Sequence, residues 1–332
     1  SDVYKRQGQM GFNGLVVTDA SHMVAMTSAM KRKDMLPTAI AAGSDLFLFF
    51  NDPDEDFQWM MEGYKNGVIT EERLHDALTR ILGLKASLGL HKKAKTEILQ
   101  PKEEAMAKIG LEENKKAALE IADKAITLVK NNEEIFPISP DKTKRVLLVK
   151  VKGFDGGFGK FLALMQGAQK GPVDIMKELL EKEGFQVEIY ESPVDKIMKL
   201  PKEEMGAAIG NIYAGKRPIA ELTSKYDLII NLADVGASVD QRLQWPPSKG
   251  TPDIPFYVNE IPTIFISLQC PFHLADVPQV KTYINAYDDK EFTMKALVDK
   301  MMGRSEFKGV SSVDAFCGLK AVSYTHLTLP TT

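Results

Sequence analysis

Gly11-Phe-Asn-Gly-Leu-Val-Val-Thr-Asp19 contains a short apolar run, Leu15-Val-Val17, and ends abruptly at an ionisable residue. A wholly apolar, β-rich run such as 15–17 is typical of a parallel strand that is covered on both faces. Asp19 falls where this strand opens into a loop, which is the end at which barrel and open α/β enzymes keep their reactive groups. Aspartate also commonly caps a turn, so a structural role for Asp19 is the alternative.

Strand and helix patterns alternate after Asp19. A second apolar strand is predicted over 44–50, and Thr70 is a predicted helix N-cap. Helices are predicted over 34–42, 55–66 and 70–88. This βαβα order indicates parallel strands, and two such units cannot cover both faces of a sheet by themselves.

Residues 91–113 are polar, rich in Lys and Glu and interrupted by Pro101, which predicts a linker between two domains. An amphipathic helix is predicted over 114–131. Beyond it, short apolar strands alternate with helical stretches, which favours a mostly parallel sheet with helices on both faces. The strands are predicted over 146–151, 187–190, 227–232, 263–268 and 282–286, and the helices over 172–183, 201–212 and 291–302.

Composition argues against several classes of function. A length of 332 residues suits two domains, and no stretch approaches the ~18 apolar residues that a membrane helix needs. A net charge of −3 gives no reason to expect nucleic acid as a partner. The five histidines form no metal-binding motif, so no metal and no cofactor is expected. Cys270 and Cys317 are far apart and fit either a reducing compartment or two buried small hydrophobic residues. We expect a cytoplasmic location and a bacterial source.

Both ends of the sequence look foreign to the fold. Residues 1–7 and 322–332 look like adapter-derived tails of translated metagenomic assemblies, and they are set aside in the fold prediction together with His326.

The segment that ends at Asp19 resembles the nucleophile segment of family 3 glycoside hydrolases, which reads Gly-Phe-x-Gly-hydrophobic-hydrophobic-Ser/Thr-Asp. Met23, four residues after the acid, extends the likeness. Ala42-Gly-Ser-Asp-Leu-Phe-Leu-Phe49 is similar to the family's next strand. The resemblance implies that Asp19 is the nucleophile of a retaining glycosidase, which forms a covalent glycosyl-enzyme.

The resemblance continues through the second predicted domain. The run Ile261-Pro-Thr-Ile-Phe-Ile-Ser-Leu-Gln-Cys-Pro271 and the run Tyr283-Ile-Asn-Ala-Tyr287 are similar to the family's closing segments. It implies an α/β fold: the last two βα units of a (β/α)8 barrel over 8–90, followed by a mostly parallel α/β sandwich domain over 114–321. The family's first six units and its Lys-His-Phe-Pro-Gly-His-Gly-like stretch are not in this sequence, so we expect a carboxy-terminal fragment.

The family's proton donor has no clear counterpart. A partner carboxylic acid would stand ~5–5.5 Å from the nucleophile. In the family's N-acetylglucosaminidase branch a His/Asp dyad on an earlier barrel loop serves instead, and in its β-glucosidase branch a Glu of the second domain serves. We expect this chain alone to be inactive. His22 is predicted to contact the carbohydrate substrate or cap a helix, and Met23 to contact the substrate or pack in the core.

The substrate prediction within the family is a terminal β-linked N-acetylglucosamine, because Thr18-Asp-Ala20 follows the style of that branch. A β-glucosidase or β-xylosidase is the alternative, and whether the enzyme is a hydrolase or a phosphorylase is left open. Outside this class, a non-catalytic α/β binding module is a further alternative.

Gly153-Phe-Asp-Gly-Gly-Phe-Gly159 follows the first predicted strand of the second domain and invites a nucleotide-binding interpretation. Its spacing is not Gly-x-Gly-x-x-Gly, which favours an ordinary loop. His273 is predicted to be an interior or capping histidine.

Overall fold

A computed structural model describes residues 8–151, 170–192, 196–214, 219–235, 243, 258–316 and 318. Its contacts divide the chain into two compact units, Ser1–Ile109 and Gly110–Thr332, which are described separately. The division falls inside the segment that the sequence predicts as a linker. The predicted tails and the glycine-rich run 153–159 lie outside the described residues.

The described part of the first unit is largely helical. Its helices are α1 (Val24–Thr27), α2 (Arg32–Ala41), α3 (Pro53–Lys65), α4 (Glu71–Ser87), α5 (Lys95–Ile98) and α6 (Lys102–Met106). Thr70 caps α4 as predicted, because its Oγ1 accepts a hydrogen bond from Arg73 N at 3.1 Å. Gly43 follows α2 with φ of 114°, a conformation that favours glycine at a helix end.

The two apolar runs of the first unit meet over a short distance. Val17 and Leu46 form one parallel bridge, and Thr18 N donates to Leu46 O at 2.9 Å. The predicted strands over 15–17 and 44–50 therefore reduce to this contact. A parallel pair without further neighbours has few ladder hydrogen bonds to extend it.

The helix predicted over 114–131 is wrong in its second half. Helix α7 spans Glu112–Ala125, and Thr127–Asn131 forms strand β1. This strand pairs antiparallel with a distant segment that begins at Thr282, and Ile126 before it is fully buried. Tertiary pairing of a β-branched run thus overrides the helical periodicity that continues from α7.

The second unit contains a six-stranded sheet in the order β1-β6-β5-β4-β2-β3. After β1, its strands are β2 (Arg145–Val151), β3 (Gln186–Ile189), β4 (Leu228–Ala233), β5 (Thr263–Ser267) and β6 (Thr282–Asn285). All neighbours are parallel except β1 and β6. Each strand predicted for this unit is present with bounds that differ by one residue or so. The fold is therefore mixed α/β, as predicted.

The second unit also contains helices beyond α7. They are α8 (Pro172–Lys182), α9 (Lys202–Ala214), α10 (Ala220–Thr223) and α11 (Glu291–Met301). Every residue of β4, β5 and β6 is buried, as expected for parallel strands that are covered on both faces. One face packs against α7, α8 and α11, and on the other the rings of Phe265 and Tyr283 stack with centroids 5.6 Å apart. None of the helices in the described ranges is long and apolar enough to span a bilayer.

Candidate active site

Asp19 lies at the carboxyl end of the short parallel contact in the first unit, where the sequence places it. Val16, three residues earlier, is 3% exposed, whereas Asp19 is exposed to solvent. Its Oδ1 accepts a hydrogen bond from Ala20 N at 2.7 Å. Within the described part of the chain, Oδ2 has no hydrogen-bond partner. The Asp19 carboxylate therefore lies at the surface with Oδ1 in a hydrogen bond. Its Oδ2 is available to a ligand.

His22 and Met23 follow Asp19 in the same loop, and both are exposed. The loop is tight, because Met23 N donates to Ala20 O at 3.2 Å. Met23 is the N-cap residue of α1, which has no side-chain cap. The core position that the sequence allows for Met23 is therefore wrong. Both side chains therefore lie exposed beside Asp19 in the same loop.

A buried ion pair holds the two strands of the first unit together. The Asp45 side chain is fully buried, its Oδ2 accepts from Val16 N at 2.8 Å, and its Oδ1 receives the guanidinium of Arg73. Arg73 also donates to Asp76 at 2.5 Å and to the carbonyl oxygen of Ile40 at 3.0 Å. Asp45 thus ties the strand that carries Asp19 to its neighbour and to α4.

A second buried carboxylate, Asp56, lies on α3 and is 4% exposed. It accepts from the hydroxyl of Ser21 at 2.9 Å and from the guanidinium of Arg32. Sequence pattern alone does not single out this cluster, because Asp56 is one of three acids in the first turn of a helix, where acids are common. Ser21, two residues after Asp19, belongs to no motif either.

Polar residues also gather at the carboxyl ends of the second unit's strands. Burial raises the pKa of Asp234, which follows β4, and Gln269 donates to its Oδ1 at 2.5 Å. Among the described residues no group of three or more His, Cys, Asp or Glu could hold a metal ion. His273 is an interior residue, as predicted: it is 2% exposed, and its Nδ1 lies 2.8 Å from Ser267 Oγ.

The geometry defines a class: a mixed α/β protein with an exposed carboxylate at the end of a parallel strand. Sequence comparison identifies the family. Residues 4–84 match the description Glycosyl hydrolase family 3 N terminal domain. A curated relative from Cellulomonas fimi, named Beta-N-acetylglucosaminidase/beta-glucosidase, is 36% identical over 314 residues, which are 93% of this chain and 51% of that protein.

Solved structures have a similar fold. One titled Beta-glucoside phosphorylase BglX is 39% identical, with a TM-score of 0.73 over 95% of this chain and 51% of its own. A family 3 β-N-acetylglucosaminidase from Paenibacillus sp. str. FPU-7, 22% identical with a TM-score of 0.59 over 92% of this chain and 52% of its own, shares the fold. The chain belongs to glycosyl hydrolase family 3, and it spans about half the length of these relatives.

Proposed function

We propose that this protein acts on a terminal β-linked sugar and that Asp19 is the nucleophile. The observation that carries this proposal is the exposed Asp19 carboxylate, held through Oδ1 by Ala20 N at 2.7 Å, inside the segment that matches the family. We also propose that residues 8–90 form the last two βα units of a (β/α)8 barrel, as the family resemblance implies. A carboxylate at the carboxyl end of a barrel strand is in the position that such enzymes use.

The reaction proceeds in two displacements. Asp19 Oδ2 forms a bond to the anomeric carbon while the bond from that carbon to the leaving oxygen breaks, and the leaving oxygen takes a proton from an acid. An acceptor then attacks the same carbon and releases the Asp19 carboxylate. Two inversions return the sugar to its β configuration.

The sugar that we propose is N-acetylglucosamine, with glucose or xylose as the alternatives. The name of the Cellulomonas fimi relative includes both N-acetylglucosaminidase and glucosidase, which supports a gluco-configured sugar here. His22 and Met23 would contact this sugar, since both side chains are exposed in the loop that follows Asp19. Nitrophenyl β-glycosides of N-acetylglucosamine and glucose, which differ only at carbon 2, and of xylose, which lacks carbon 6, would rank these substrates.

A second candidate concerns the acceptor. The 39% identical structure is titled a β-glucoside phosphorylase, so inorganic phosphate is a candidate acceptor beside water. The two are separated by the product, since phosphate as acceptor gives a sugar 1-phosphate and water gives the free sugar. Product analysis with and without phosphate decides between them.

We propose further that the 332-residue chain alone turns over no aryl glycoside at a useful rate. Val17 and Leu46, which form the parallel bridge, are 43% and 36% exposed, so the strand end that carries Asp19 is open to water. Charge stabilisation is much weaker in such a wet site than in an enclosed one. Clear turnover by this chain that is lost in Asp19→Ala would contradict this proposal.

The nucleophile proposal is tested in the longest natural form of the protein that contains these residues. Asp19→Ala should lower turnover of an aryl β-glycoside by at least about a thousandfold. Added azide should restore turnover and give the α-glycosyl azide, because the small anion occupies the space of the lost carboxylate.

Asp34→Ala, which removes an exposed aspartate of α2, is the matched control and should leave turnover unchanged. Undiminished turnover by Asp19→Ala would refute the nucleophile role. An azide product of β configuration would refute the two-displacement mechanism.

A further inference from the structure

Ser21 is the best-anchored residue of the loop that carries Asp19. It is fully buried, although Asp19 and His22 on either side of Ala20 and Ser21 are exposed. Its hydroxyl donates to Asp56 Oδ2 at 2.9 Å, and its backbone N donates to Phe49 O at 3.0 Å. The loop is therefore fixed at Ser21, next to the Ala20 peptide whose N–H engages Asp19.

Asp56 gathers the loops that follow both strands of the first unit. Besides the Ser21 hydroxyl, it accepts from Asn51 N at 3.2 Å, and Asn51 follows the second strand. The guanidinium of Arg32 donates to the other oxygen, Oδ1. One buried carboxylate thus satisfies donors from two loops and from α2, which a group with four or so acceptor sites can do.

Arg32 is itself held in place. It donates to Glu55 at 3.1 Å, and its guanidinium carbon lies 5.1 Å from the ring centroid of Trp59. Both partners lie on α3 with Asp56. The guanidinium therefore compensates the buried charge from a fixed position, which a flexible surface ion pair does not do.

Phe49, whose carbonyl oxygen accepts the hydrogen bond from Ser21 N, has a strained backbone conformation. Phe49 has φ of 58°, a left-handed conformation that is rare and strained for an aromatic residue. Its carbonyl oxygen accepts from Ser21 N. Such a conformation persists only where the surrounding contacts fix it, and strained residues of this kind cluster at functional sites.

We propose that Asp56, held by Arg32, is a positioning residue for Asp19, a role that rests on the proposed nucleophile function. It fixes Ser21, Ser21 fixes the backbone of the adjacent Ala20, and Ala20 N orients the Asp19 carboxylate through Oδ1. Asp56 touches no reacting atom. Loss of the Ser21–Asp56 hydrogen bond lets the carboxylate rotate away from its attack position, which lowers the rate of the first displacement and leaves sugar binding unchanged.

The test measures covalent labelling by an activated 2-deoxy-2-fluoro-β-glucoside in the longest natural form of the protein. Ser21→Ala should slow the maximal labelling rate about tenfold and Asp56→Asn about a hundredfold, with an unchanged half-saturating concentration. The double variant should label no more slowly than Asp56→Asn alone, because both substitutions remove one shared contact.

Asp45→Asn is the matched control, because Asp45 is also a buried aspartate paired with an arginine but bonds to the strand at Val16. It should lose thermal stability and label at the parent rate while folded. If Asp56→Asn does not fold, Ser21→Ala decides, since it removes one hydroxyl and leaves the Asp56–Arg32 pair intact.

Labelling of Ser21→Ala and of any folded Asp56→Asn at the parent rate would overturn the positioning role and leave the nucleophile standing. Undiminished labelling of Asp19→Asn would instead refute the nucleophile role, and with it the role of Asp56. The two failures are therefore distinguishable.

Discussion

Both units of this chain contain apolar runs that predict parallel strands, but the two units bury these runs to different extents. In the second unit, the parallel strands β4 and β5 are buried along their whole length. In the first unit, Val17 and Leu48 are 43% and 46% exposed although they lie in equally apolar runs. An apolar run becomes a buried parallel strand only when strands pair on both sides of it and helices cover both of its faces.

The difference extends to what holds each unit together. The sheet of the second unit is stabilised chiefly by apolar burial, with a core that includes Leu228, Ile230 and Ile266. The first unit joins its strands and helices through two buried carboxylates, Asp45 and Asp56, each paired with an arginine. Polar networks fix geometry more sharply than apolar contacts, but each one fails when a single partner is removed.

The largest effect is expected at Asp45. Asp45→Ala leaves Arg73 with Asp76 as its remaining acidic partner and Val16 N without its acceptor, so the free energy of unfolding of the first unit should fall by about 3–5 kcal/mol. Asp52→Ala, which removes only the N-cap of α3, should cost about 1 kcal/mol. Urea unfolding followed by the fluorescence of Trp59, in a Trp245→Phe background, measures both. Equal losses would show that Asp45 acts as no more than a surface polar group.

The next largest difference between the units is expected when an apolar strand residue is truncated to alanine. Ile266→Ala removes a fully buried side chain of β5, and the second unit should lose about 3 kcal/mol of unfolding free energy. Leu46→Ala, at a position that is 36% exposed, should cost less than half as much in the first unit. Circular dichroism during denaturant unfolding gives both values. A larger loss for Leu46→Ala would contradict the contrast between the two sheets.

The smallest expected effect is on the loss of stability at acidic pH. Hydrogen bonds from Arg145 lower the pKa of Asp227 below its ordinary value of 3.8, and this pair joins the starts of β2 and β4. The stabilisation is present above the ordinary pKa and is lost as the pH falls through the lowered value. Asp227→Asn should therefore reduce the loss of unfolding free energy between about pH 5 and 2.

Thermal melts across this pH range measure the effect of Asp227→Asn. The matched control Glu120→Gln, in an exposed helical pair with Lys124, should retain more of the parent's acid dependence. A steeper acid loss in Asp227→Asn than in the parent would exclude the proposed linkage.

The sequence predicts the sheet of the second unit well and the strand pairing of the first unit poorly. Runs such as 146–151 and 263–268 are apolar on both faces and bounded by turn residues, so local pattern suffices. Strand β1 is missed because its partner lies about 150 residues away and α7 leads into it with helical periodicity. No local signal shows that the strands at Val17 and Leu46 stop after one bridge.

In the candidate site, too, one residue is predictable from the local sequence and another is not. Asp19 is predictable, because a strand-terminal acid in a family motif is a local pattern. Asp56 is not, since the run 54–56 contains three acids and only the tertiary structure selects the one that faces Ser21. A positioning contact between residues 35 positions apart leaves no periodic trace in a single sequence.

The most direct test of the central claim is to locate the covalent intermediate. The longest natural form of the protein is treated with an activated 2-deoxy-2-fluoro-β-glucoside, digested, and analysed by tandem mass spectrometry. We expect one fluoroglucosyl group, carried by the peptide that contains Asp19 and assigned to that carboxylate. A protein that is labelled at another residue, or that turns over β-glucosides with Asp19 unlabelled, would contradict the nucleophile role of Asp19.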